Sequence, residues 1–161
     1  MAPTEVIDRT RQRSVPVWLL VLGVLLVIAR IVVWATGERA SGTAVQWVPL
    51  ESAKSVAAST GKPIMYDFTA EWCPPCHRLD DEVFKNPQFV AEINRRFVPV
   101  RVVDRKQEEG TNRPPVQRLQ DLYRVRAFPT VIFAAADGIE MGRMEGFRGP
   151  GQFGRVMENV R

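Results

Sequence analysis

Apolar and polar positions change rhythm along this chain, and each change predicts a different kind of element. Val15 to Ala29 is apolar apart from Pro16 and Gly23, and beyond Arg30 the run resumes to Ala35. No polar stripe divides it, so it does not read as the amphipathic face of a soluble helix. Taken over 15–36 it is about 22 residues, roughly 33 Å as a helix, enough to cross a bilayer core. Residues 37–44 carry Gly37, Ser41, Gly42 and Thr43 and read as a linker. From 45 to 161, β-rich runs alternate with stretches of helical period, and a single folded domain is expected.

Within that domain 44–48 predicts a short strand, and Pro49 opens a helical stretch, 50–60, closed by Gly61. Residues 63–69 are apolar on both faces and predict a buried strand. A helix follows from about Cys73 to Lys85, and Asn86-Pro87 caps another that ends near Arg96. Residues 97–103 predict a strand. The polar stretch 105–115, with Gly110, Pro114 and Pro115, reads as a loop, and 116–123 as a helix with Val116, Leu119, Leu122 and Tyr123 on one side. Two strands, 130–134 and 140–146, flank the turn Asp137-Gly138, and Gly149-Pro150 precedes a last helix. The order β-α-β-α-β-α-β-β-α predicts an α/β fold, a central mixed sheet flanked by helices, preceded by one N-terminal transmembrane helix.

Charge sets an orientation for the first segment. Arg9, Arg11 and Arg13 make its leading flank the basic one, so residues 1–14 are expected in the cytoplasm and the domain beyond the inner (cytoplasmic) membrane, periplasmic or otherwise extracytoplasmic. Trp18 and Trp34 fall near the two interfaces, and Arg30 snorkels to the nearer headgroups. A cleaved signal peptide is the rival reading, weakened by the length of the run and the lack of Ala-x-Ala near its end. Over the whole chain 22 Lys and Arg face 18 Asp and Glu, a net charge of +4. Without a basic patch interleaved with aromatics, nucleic acid is not expected as a partner.

The chain has 2 Cys and 1 His. Cys73 and Cys76 stand too close in sequence to staple distant parts of the fold, and one histidine leaves a four-ligand zinc site improbable, so neither metal nor cofactor is expected. The motif Glu71-Trp72-Cys73-Pro74-Pro75-Cys76-His77 follows a buried strand and opens a helix. There the backbone N–H groups and dipole of a helix start favour a thiolate on the first sulfur.

These residues, with five others, resemble the thioredoxin-like family, and most of all the branch that includes the C-terminal domain of transmembrane disulfide reductases. Asp67 stands six residues before Cys73, Trp72 immediately before it, Phe128-Pro129-Thr130 where the family has its cis-proline loop, and Gly146 at the family's last-strand glycine. The resemblance implies a thioredoxin fold and thiol–disulfide exchange, with Cys73 the nucleophile, Cys76 the resolving thiol and Asp67 exchanging a proton with Cys76. It places Trp72, Pro74, Pro75, Phe128, Pro129 and Thr130 against the substrate and makes Pro129 cis. The partners implied are exported proteins with exposed disulfides or thiols, apocytochromes among them. A reductant would also need a separate transmembrane electron donor.

The chain departs from the family in its Pro-Pro dipeptide, in the aromatic Phe128, and in the length of 104–115, which should emerge beside the cysteines and is either a partner-recognition loop or a plain insertion. Two other readings stay open on sequence. Cys73-Pro-Pro-Cys76-His77 satisfies the C-x-x-C-H signature of c-type haem attachment, with His77 as one axial ligand and Met141, Met144 or Met157 as the other. The domain could also grip clients without turnover. Solvated alternatives for Asp67 and a core role for Trp72 remain open as well.

Overall fold

The computed structural model describes Trp18, 21–27, Arg30 and 44–160. The chain divides into two units, Met1–Arg39 and Ala40–Arg161. In the first, the described residues are helical and their apolar side chains are exposed. Among the described residues no helix is long and apolar enough to cross a membrane. Most of the expected segments 1–14, 15–36 and 37–44 lies outside the described residues.

The second unit begins with an extended segment rather than the strand expected at 44–48. Only Val48 N–H reaches the sheet, donating to Pro99 O at 2.8 Å. Asn94 supplies the other partners, its Oδ1 accepting from Gln46 N and its Nδ2 donating to Ala44 O, so no ladder forms. Helix α1, Ala53–Thr60, ends on Gly61, whose φ of 69° gives the left-handed turn that leads into strand β1, Ile64–Ala70. Helix α2, Pro74–Leu79, starts with prolines in its first turn and continues into a π-helical segment, Asp80–Phe84. The expected single helix is therefore widened at its end, with Lys85 N–H bonded to Asp80 O. Helix α3, Pro87–Arg96, begins at Asn86, whose side chain accepts from Gln88 N–H.

Strand β2, Val98–Asp104, leads into a short helix α4, Lys106–Glu109, inside the stretch expected to be loop. Pro114 and Pro115 then open helix α5, Pro114–Leu122, where their missing N–H groups cost nothing; the loop is shorter than expected for that reason. Strands β3, Thr130–Ala134, and β4, Glu140–Glu145, form the hairpin, and helix α6, Pro150–Asn159, closes the unit.

The sheet order is β2-β1-β3-β4, with β1 parallel to β2 and both other pairings antiparallel. It is the mixed sheet expected. Alternation along β1 sends Ile64, Tyr66 and Phe68 to the face covered by α1 and α5, where they meet Ala57, Val116 and Leu119. Met65 goes to the other face with Leu79, Val83, Ile93 and Phe153 from the opposite helical layer. Asp67, two residues on, belongs to this second face. In register it lies opposite Arg101 on β2 and Val131 on β3.

Candidate active site

The parallel pairing of β1 and β2 ends at Ala70 and Asp104, which are register partners. The Cys73 motif and 104–115 thus leave the sheet side by side, as expected from sequence. Arg105 joins them, its Nη2 lying 2.7 Å from Glu71 Oε1.

Cys73 and Cys76 form a disulfide with Cα atoms 5.3 Å apart, and both are buried. Cys73 is the N-cap of α2. Pro74 and Pro75 occupy the next two positions and carry no N–H, so two of the donors expected to stabilise a thiolate there are missing. The remaining ones, Cys76 N–H and His77 N–H, donate to Cys73 O at 3.0 and 3.3 Å. The helix start offers the outer sulfur fewer N–H groups than the bare spacing promised.

Phe128 packs against Ala70, Cys73 and Cys76, and meets Trp72 edge-on with centroids 6.0 Å apart. Trp72 is half exposed, which removes the core alternative and leaves it at the rim of the disulfide. The Phe128–Pro129 bond is cis, as expected. Thr130 belongs to the loop's framework and not to its surface: it is buried, and its hydroxyl donates to Ala127 O at 2.8 Å. Pro74 is exposed and Pro75 partly so. A cavity of about 470 Å³ adjoins this rim, with Trp72, Phe128, Lys106, Gln117, Gln120 and Arg126 among its walls.

Asp67 is 1% exposed, so the solvated alternative is excluded. Burial pushes its carboxyl up to about 7; Arg101 pulls it down and Asp80 pushes it up. Arg101 Nε donates to Oδ2 at 3.0 Å, while Oδ1 has no hydrogen-bond partner. The same guanidinium forms an ion pair with Asp80 and lies over the rings of Trp47 and Phe84, 4.3 and 5.4 Å from their centroids. Sequence reasoning passed over Arg101, Asp80 and Trp47. The available signal was a lone arginine in the otherwise apolar run Val98-Pro99-Val100-Arg101-Val102-Val103, on the strand that pairs with β1.

Residues 50–161 match the thioredoxin-like domain family. The chain belongs to the thioredoxin-like family. Among its relatives is the disulfide bond reductase DsbH of Chlamydia pneumoniae, 28% identical over 102 residues, which are 62% of this chain and 61% of that protein. The thiol:disulfide interchange protein DsbD of Yersinia pestis is 26% identical over 153 residues, 88% of this chain but 24% of its own length. This chain therefore spans less than two thirds of these relatives. A solved DsbH oxidoreductase shares the fold, with a TM-score of 0.64 at 20% identity over 95% of this chain and 94% of its own. A thioredoxin from Thermus thermophilus gives 0.61 at 28% identity over 73% and 87%. Family and cysteine pair together support a thiol:disulfide oxidoreductase. The haem and client-gripping alternatives gain no support: the two sulfurs are bonded to each other, and His77 Nε2 is engaged with Glu71 O at 2.9 Å.

Proposed function

We propose that this protein reduces disulfides in exported substrate proteins, cycling between a Cys73–Cys76 dithiol and disulfide. The observation that carries this reading is the Cys73–Cys76 pair at the start of α2, beside the Phe128–Pro129 loop and on the strand-to-helix turn that follows buried Asp67. In the reaction, the Cys73 thiolate attacks a client disulfide. A mixed disulfide forms and one client sulfur leaves as a thiolate. Cys76 gives its proton to Asp67 and attacks Cys73 Sγ; the second client sulfur leaves. Two electrons pass to the client, and the Cys73–Cys76 disulfide remains. Asp67, held near 7, exchanges a proton readily at neutral pH.

The two prolines support the reducing direction. A pair is oxidising when its reduced form is stabilised, chiefly by donors to the outer thiolate. Here Pro74 and Pro75 remove two such donors, which favours giving electrons away. Trp72, Pro74, Pro75, Phe128 and Pro129 form the client-facing surface, with Thr130 shaping the loop behind it. Residues 15–36 anchor the chain in the inner membrane, with 1–14 cytoplasmic, 37–44 a linker and the catalytic domain in the periplasm. A separate transmembrane donor returns it to the dithiol, and apocytochromes and other exported proteins with metal-binding thiols are its client class. The test is trapping: Cys76→Ser should accumulate mixed disulfides with exported proteins through Cys73, and Cys73→Ser should accumulate none. Equal yields from the two variants would dismiss the assigned roles.

A further inference from the structure

The aromatic rim of the disulfide borders a cavity that the exchange chemistry does not use. It measures about 470 Å³ and opens beside Trp72 and Phe128, the second of which also packs against Cys73 and Cys76. Its other walls come from α4, from α5 and from the turn 125–127 that leads to the cis proline. The α4 wall belongs to 104–115, the stretch whose length departs from the family.

That wall is tied down from within. Buried Asp104 accepts from Lys106 N–H, Asn112 and Gln120, and Arg105 N–H donates to Asn112 Oδ1 at 2.7 Å, so α4 is bound to α5. Arg105 is held further by Glu71 and Glu109. The polar groups lining the cavity are then unequally used. Both acids are engaged, Asp104 in this network and Asp121 by Gln117, whose Nε2 donates to Oδ1 at 2.9 Å. Both cations, Lys106 and Arg126, are exposed, and among the described residues their side chains enter no ion pair or hydrogen bond. The unmatched capacity is that of charged donors, and the group that matches it is a carboxylate.

We propose that this cavity is a client subsite in which Lys106 and Arg126 select disulfides flanked by an acidic side chain. This rests on the reduction of client proteins proposed above and adds which clients are taken fastest. In an extended client, a side chain two residues from the attacked cysteine shares its face and lies about 7 Å along the chain. That reach is comparable with the 6.0 Å between the Trp72 and Phe128 centroids, and it carries an Asp or Glu past the aromatic pair to the two cations. Neither cation touches the reacting sulfurs, so both act on choice of client. Being exposed, they act chiefly on encounter, and their pull weakens with salt.

The experiment uses the full-length reduced protein and three disulfide-linked peptide dimers that carry Glu, Gln or Lys two residues to either side of the cysteine. Rates of peptide thiol release are divided by those with dithiothreitol, which removes the intrinsic reactivity of each disulfide. At low ionic strength the wild type should reduce the Glu peptide about fivefold faster than the Gln peptide, and the Lys peptide more slowly still. The preference should shrink in about 0.5 M salt. Lys106→Glu should weaken it, and Lys106→Glu combined with Arg126→Glu should reverse it. Arg118→Glu, a charge reversal at an exposed position of α5 outside the cavity, should leave the order as it is. Equal normalised rates for the three peptides, or a preference altered as much by Arg118→Glu as by Lys106→Glu, overturn the subsite while the reductase reading stands. Failure to reduce any of the three overturns the reductase reading, and the subsite with it.

Discussion

Two buried carboxylates stand near the same end of the β1–β2 pair, and they are treated in opposite ways. Asp104 is fully satisfied. Its Oδ2 accepts from Asn112 Nδ2 at 2.6 Å and Gln120 Nε2 at 2.9 Å, its Oδ1 accepts from Lys106 N–H at 3.1 Å, and Asn112 Nδ2 also donates to Gln120 Oε1. All these donors are neutral, and together they fold 104–113 back onto α5. Asp67 receives a single bond from a cation it must share, and one of its oxygens is left bare. A saturated network of amides holds a loop in one shape, whereas an underserved acid in an apolar setting holds a proton that can leave. On the proposed mechanism the contrast separates scaffold from chemistry more sharply than burial does, since Asp67 is 1% and Asp104 7% exposed.

The largest effect expected from breaking this contrast is at Asp67. The carboxyl ionises at 3.8 in its ordinary state and near 7 in the fold. Between those values the native state keeps a proton that the unfolded chain has lost, so stability falls as pH rises through that window and stays lowered above it. Asp67→Asn removes the penalty. It should stabilise the domain at pH 8 by at most about 4 kcal/mol, with the gain fading below about pH 4, as read from urea midpoints across pH. Equal gains at both ends of the range would contradict the assignment. The same variant should slow release of client from the mixed disulfide.

Next in size is the scaffold carboxylate. Asp104→Leu strands the amides of Asn112 and Gln120 and should cost about 3 kcal/mol, seen in the denaturant midpoint. The pH midpoint that Asp67 gives to exchange should keep its position in that variant. A shifted midpoint would mean that the two acids are not separate devices. The smallest effect is at Pro74: Pro74→Gly restores one N–H at the start of α2 and should raise the potential of the pair by about 20 mV, equivalent to about 1 kcal/mol.

Sequence patterning read most of this fold because its signals are local. The prolines and Asn86 that start helices, the Gly61 cap, the apolar run of β1 and the Asp137-Gly138 turn each act within a few residues. The pairing of the two cysteines, the burial of Asp67 and the cis Phe128–Pro129 bond were legible from the ordered set of motif positions. What escaped were relations across the fold. Arg101 meets Asp67 only because β1 and β2 pair in that register, and Trp47 covers it only because Asn94, about fifty positions away, holds the leading segment. The prolines at 114 and 115 were read as loop because a helix start and a loop share them until the following turn is seen to close. Thr130 looked client-facing from its place after Pro129, but its hydroxyl is taken by the backbone.

The direction of electron flow is the claim on which the proposed function turns, and equilibration of the Cys73–Cys76 pair with glutathione at pH 7 measures it. A reductant of exported disulfides should have a standard potential more negative than about −200 mV, on the reducing side of disulfide isomerases. A value less negative than that would make the pair an acceptor of electrons and contradict the reducing role.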